Sequence, residues 1–126
     1  MTSPKQYTQI VDVLVELTQT KKLKWIREPA PQSLFVNDNR IDQIYKTIFN
    51  GRHLRIYKEL FRYYTDEDKF YYSERIVLEF TDDSGSESIF QFPSTSNTLA
   101  LLNAIQYQDA DIDSFMHDLF EKKIGV

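Results

Sequence analysis

Tyr7, Ile10, Leu14 and Leu17 recur at three- and four-residue intervals with Val11 beside them, which draws one apolar stripe along a helix over residues 4 to 20. Ser3-Pro4-Lys5-Gln6 supplies its start. Ser3 caps, Pro4 takes the first helical position, where a backbone N–H has no partner anyway, and Gln6 completes a capping box. The pattern then changes period: Leu23-Lys24-Trp25-Ile26-Arg27 alternates as a short strand, which Pro29 and Pro31 end.

Residues 40 to 50, RIDQIYKTIFN, fit two periods. Ile41, Ile44, Tyr45, Ile48 and Phe49 suit a helix capped by Asp38 and stopped by Gly51. Asn50-Gly51 is also the dipeptide that best tolerates positive φ at both centres of a two-residue type I′ hairpin. The strand reading is preferred, because residues 52 to 60 offer it a matching partner. With Phe49 opposite Arg52, Tyr45 faces Ile56, Ile44 faces Tyr57 and Ile41 faces Leu60, so apolar partners meet on both surfaces.

A second hairpin forms if Tyr64 pairs with Phe70 around the loop from Thr65 to Lys69. One face then carries Leu54, Ile56, Leu60, Tyr64, Phe70, Tyr72, Ile76, Leu78 and Phe80 as a core row. The other sets Arg55 opposite Glu79 and Glu59 opposite Arg75. A slip of one residue breaks both charge pairs and turns the apolar row outward, so pattern and pairing select one register. Thr81 to Ser86 is turn chemistry, and Ile89 to Phe92 returns as a strand closed by Pro93. Two helical segments finish the chain. Ser94 or Ser96 caps one carrying Leu99, Leu102 and Ile105, and Asp109 or Asp111 caps another whose stripe is Ile112, Phe115, Met116, Leu119 and Phe120. The expected architecture is a single α+β domain over residues 1–126. It comprises an antiparallel β-meander of about five strands with an N-terminal helix and one or two C-terminal helices packed on the sheet.

Composition narrows the function classes. With no cysteine in 126 residues, disulfide scaffolds, thiol nucleophiles and cysteine zinc sites are excluded. The N-terminus has neither the charge pattern nor the uninterrupted apolar run of a secretory signal, which points to a soluble, cytoplasmic protein. A net charge of −4 argues against a general phosphate-backbone binder. Leu17-Thr18-Gln19-Thr20-Lys21-Lys22-Leu23-Lys24-Trp25 resembles openings of small uncharacterised bacterial proteins, a likeness that implies no activity.

No catalytic signature emerges. Asp109, Asp111 and Asp113 imitate the start of a calcium loop, but Ser114 stands where glycine is needed and Phe120 where a bidentate glutamate belongs. His53 and His117 lack any metal or protease spacing and read as structural or solvent-facing. The serines and threonines at 94 to 98 form no nucleophile elbow. Paired carboxylates such as Glu67 with Asp68 fall in turns, where water solvates them, and so offer no general acid. Nothing calls for a cofactor or a metal.

That leaves the aromatic stretch 60 to 76. The proposed register sets Tyr57, Phe61, Tyr63 and Tyr71 on the face opposite the core, beside Arg55, Arg62 and Arg75. Cross-strand aromatic pairs stabilise a hairpin by ~0.2–1 kcal/mol each, which accounts for much of the crowd. An uncovered aromatic face also marks a contact surface. The leading expectation is a non-enzymatic module that binds a protein partner or itself through this face. The alternative is single-stranded nucleic-acid binding, in which bases stack on the aromatics at ~1–3 kcal/mol each beside the arginines. A small-ligand pocket between sheet and helices stands third.

Overall fold

The computed structural model describes residues 1–125, without the side chains of residues 123–125. Helix α1, Pro4–Gln19, starts at the expected capping box: Gln6 N–H donates to Ser3 Oγ at 3.3 Å and Ser3 N–H donates to Gln6 Oε1 at 2.8 Å. Five strands come next, β1 (Ile26–Glu28), β2 (Ile44–Phe49), β3 (Arg52–Asp66), β4 (Lys69–Thr81) and β5 (Ser88–Gln91), all antiparallel and ordered in the sheet as in the chain. Helices α2 (Thr98–Asp109) and α3 (Ile112–Gly125) close the chain. No helix among the described residues is long and apolar enough to cross a membrane.

Register is set by turn chemistry and charge. Asn50 at φ 48° and Gly51 at φ 76° form the two-residue turn, which seats Phe49 on Arg52, Tyr45 on Ile56 and Ile44 on Tyr57. Further along, Arg55 faces Glu79, Glu59 faces Arg75 and Tyr64 faces Phe70, as the charge pairs demand. The pairing of Ile41 with Leu60 does not form. Residues 41 to 43 leave the ladder, and Arg40 takes the bridge to Leu60 instead. The slip frees Ile41 to pack with Ile44, Tyr57 and Val77.

One sheet face holds the main core. Leu54, Ile56 and Leu78 meet Val11 and Leu14 of α1, Leu101, Leu102 and Ile105 of α2, and Trp25. Removing such aliphatic side chains fully from water contributes ~1.5–3 kcal/mol each. Gln108 fastens the layer: its amide donates to the carbonyls of Thr18 (3.1 Å) and Leu23 (2.9 Å) and accepts from Trp25 N–H (2.9 Å). Asn97 joins α2 to α1 by donating to the Thr8 carbonyl at 2.9 Å. Asn97 is also the residue preceding α2, displacing the expected caps Ser94 and Ser96.

The second face is covered over its lower half. Residues 29 to 43, with a short 3₁₀ turn at Gln32–Leu34, bring Ala30, Leu34 and Ile41 over Ile44, Tyr57 and Val77. Asn39 staples this segment down: it accepts from Val36 N–H at 2.9 Å, donates to the Leu34 carbonyl at 2.8 Å and donates to Glu59. On the same face, Arg55 and Glu79 form a buried ion pair, with Arg55 also bonded to the Gly85 carbonyl of the β4–β5 turn.

Candidate interaction surface

Strands β3 and β4 outrun their neighbours. The β2 ladder ends at Tyr57, with one further bridge at Leu60, and β5 pairs only with Glu79 to Thr81, beyond which Phe92 N–H donates to the Leu78 carbonyl. Residues 61 to 74 therefore form a two-stranded ribbon with both edges open, tipped by Asp66, Glu67 and Asp68. Alternation gives it two faces.

On the face opposite the helices, Tyr63 and Tyr71 pair at 5.2 Å between centroids and remain 51% and 54% exposed. Phe61 lies next to them under Arg75, whose guanidinium sits 5.1 Å from its ring. Arg75 also donates to Glu59 at 2.7 Å, a nearly buried carboxylate, so its position is set from below. On the helix side, Tyr64 and Phe70 pair at 5.5 Å, and Phe70 meets Tyr72 edge-on at 5.8 Å. Arg62 lies 4.4 Å over Phe70 and holds Asp38 at 2.8 Å, while Arg40 lies 4.4 Å over Tyr72. The Tyr64 hydroxyl accepts from Arg62 at 3.3 Å and, with the Tyr72 hydroxyl and Asp38 nearby, holds its guanidinium protonated above its ordinary range.

The expected site thus divides. Phe61, Tyr63, Tyr71 and Arg75 share one face of the ribbon. Arg55 and Tyr57, expected beside them, are withdrawn from the surface at 1% and 7% exposure: Tyr57 packs under Ile41 and Leu34 of the 29 to 43 segment, and Arg55 is bonded to Glu79 and to the Gly85 carbonyl of the β4–β5 turn. Burial pushes the Tyr57 hydroxyl up to about 12, helped by the negative charges of Glu79 and Glu59. Arg62, placed with that group by sequence reasoning, points to the helix face, as an even-numbered position in this strand must. Tyr64 and Phe70, expected to extend the core row, are 53% and 41% exposed because α1 and α2 do not reach that far along the sheet.

Elsewhere, a groove of about 470 Å³ runs between α1 and α2, lined by Thr18, Gln19, Ala100, Asn103, Ala104 and Tyr107 and closed by Asp111 and Ile112. Lys21 and Asp113, paired at 3.4 Å, also line it. His53 lies 3.6 Å from Asp83, and His117 lies 3.2 Å from Glu121 on the exposed surface of α3. Among the described residues, no three His, Cys, Asp or Glu side chains gather to hold a metal ion.

Compared with known proteins, the chain matches no family model, no curated protein and no solved structure.

Proposed function

We propose that this chain is a protein-contact module whose contact element is the projecting β3–β4 ribbon. One observation supports this above the rest: Tyr63 and Tyr71 on one face, and Tyr64 and Phe70 on the other, stay about half exposed on a ribbon that no other strand covers. Aromatic side chains of this kind dominate protein interfaces because they offer large apolar area with few rotatable bonds. A two-stranded ribbon alone is only marginally stable in water, so a partner that buries its faces would also stabilise its folded form.

The partner's chemistry is set by the tip. Asp66, Glu67 and Asp68 stand at the end of the aromatic faces, which suits a protein cleft with apolar walls and a basic floor. The same charges repel a phosphate backbone, and the two best-placed arginines, Arg62 and Arg75, are already engaged by Asp38 and Glu59.

A photo-cross-linking residue placed at Tyr71, with a second copy of the probe at the remote Lys5, tests this in nuclease-treated lysate. Capture of one defined protein at position 71 alone, lost when Tyr63 becomes alanine while the melting temperature holds, is the expected result. Binding of labelled single-stranded oligonucleotides that weakens steeply with salt, or identical capture at both positions, removes the proposal.

A further inference from the structure

Between α1 and the sheet, beside the β2–β3 turn, the main core stops short and leaves a cleft of about 230 Å³. Leu14 of α1, Leu54 of β3 and Phe92 form its buried inner wall, which Phe80 of β4 completes. The rings of Phe80 and Phe92 lie 4.9 Å apart, so aromatic packing holds that wall in place. The lip is made by the two residues that flank Asn50-Gly51: Phe49, 46% exposed, and Arg52, exposed and opposite it in the ladder. Arg52 is the single polar residue of the lining.

The neighbouring carboxylates are spent elsewhere. Asp82 comes one step beyond Thr81, the ladder partner of His53, and so stands level with Arg52. Its carboxylate turns into its own loop, accepting from the Ser84 hydroxyl at 3.0 Å, the Ser86 N–H at 2.9 Å and the Ser86 hydroxyl at 3.1 Å. Asp83 lies 3.6 Å from His53. Among the described residues, Arg52 takes part in no ion pair.

We propose that this cleft binds a small apolar monocarboxylate, with its chain or ring against Leu14, Leu54, Phe80 and Phe92 and its carboxylate on the Arg52 guanidinium at the lip. The site is separate from the ribbon and stands without it. A guanidinium offers a carboxylate two parallel N–H donors, the strongest pairing available to an anion of this shape. An amine finds no side-chain acceptor in the lining and meets a like charge at the lip. Size limits the ligand further. At roughly 30 Å³ per water-sized group, the cleft holds roughly eight heavy atoms, which is the size of hexanoate. Each methylene laid against the wall leaves water and strengthens binding about fourfold, until the chain outgrows the cleft.

The test is a titration of the full chain with hexanoate, followed by the NMR shifts of its methyl and aromatic groups. So small a ligand is expected to bind with a dissociation constant of roughly 0.1–1 mM. Saturable shifts centred on Leu14, Leu54, Phe80 and Phe92 support the proposal, with hexanamide and hexylamine at least about tenfold weaker. Butanoate should bind more weakly than hexanoate, and decanoate no better. Arg52→Gln is expected to weaken hexanoate about tenfold and leave hexanamide unchanged, with part of the loss restored in Arg52→Lys and no change in the remote Lys5→Gln. The hexanoate-to-hexanamide ratio of the wild type reads the same contact without any substitution. Absence of saturable shifts, hexanamide binding as tightly as hexanoate, equal weakening in Lys5→Gln, or shifts centred on the groove beside Lys21 would overturn the proposal. Affinity that climbs steadily from hexanoate to decanoate would overturn it in favour of adsorption to the surface.

Discussion

Arg55 donates to a single oxygen of Glu79 twice, from Nε at 2.8 Å and from Nη2 at 2.5 Å, with both side chains at 3% exposure or less. Its remaining reach goes to the Gly85 carbonyl at 2.7 Å, which the β4–β5 turn presents. A pair this dry is balanced between desolvation and attraction, so the two halves fail differently. Arg55→Met leaves the Glu79 carboxylate buried without a counter-charge and is expected to cost about 3–5 kcal/mol in chemical denaturation. Arg55→Met with Glu79→Met recovers most of that loss. Equal destabilisation in the single and double variants would show that the pair's worth lies in something other than charge compensation.

Tyr57 ties stability to alkaline pH. Its pKa is raised from 10.0 to about 12 chiefly by burial, so the folded state favours the neutral phenol. The contribution is complete below pH ~10 and is lost as pH rises toward ~12, because the unfolded chain releases that proton first. Ring-carbon NMR should find Tyr57 still protonated at pH ~11, and Tyr57→Phe should flatten the alkaline fall in melting temperature.

Gln108 is expected to matter out of proportion to its size. One amide satisfies three backbone groups, on Thr18, Leu23 and Trp25, in part-buried positions. Gln108→Leu strands all three and should cost about 2 kcal/mol. Trp25 is the chain's lone tryptophan and is 7% exposed, so a red shift of its emission reads the loosening directly.

At the β2–β3 turn, Gly51 adopts φ 76° with open space where a Cβ would sit. Gly51→Val is therefore a test of backbone conformation without a clash, and should lower stability by about 1–2 kcal/mol. Asn50→Gly at φ 48° should be nearly neutral by the same urea midpoint measurement.

Much of the sheet was readable from residue order because its register is specified twice, once by Asn50-Gly51 and once by the opposed charges Arg55 with Glu79 and Glu59 with Arg75. The failures have a common origin in long-range cover. Nothing periodic marks residues 29 to 43 as a lid, so Tyr57 looked available when Ala30, Leu34 and Ile41 in fact close that side, and Arg55 looked available when the β4–β5 turn in fact brings the Gly85 carbonyl onto it. Likewise, alternation assigns Tyr64 and Phe70 to the core side but cannot say where the helices stop. Arg62 carried a usable signal, the parity of its position in β3, which places it with Tyr64 and Tyr72 on the helix side. Asn97 was missed as the residue before α2 because its side chain bonds to Thr8 and Asp12 of α1 instead of to its own helix, a tertiary role invisible locally.

Because strands β1 to β5 lie in the sheet in chain order, each finds its partner in its immediate successor, and loop closure stays short except across the 29 to 43 segment between β1 and β2. Helix α1 is the exception: its anchors Asn97 and Gln108 lie 89 and 90 residues downstream. The chain should therefore assemble as a zippered hairpin series, with α1 docking late. Substitutions at Val11 or Leu14 are expected to accelerate unfolding and leave the folding rate nearly unchanged in stopped-flow kinetics, whereas lesions at Ile56 or Leu78 slow folding itself.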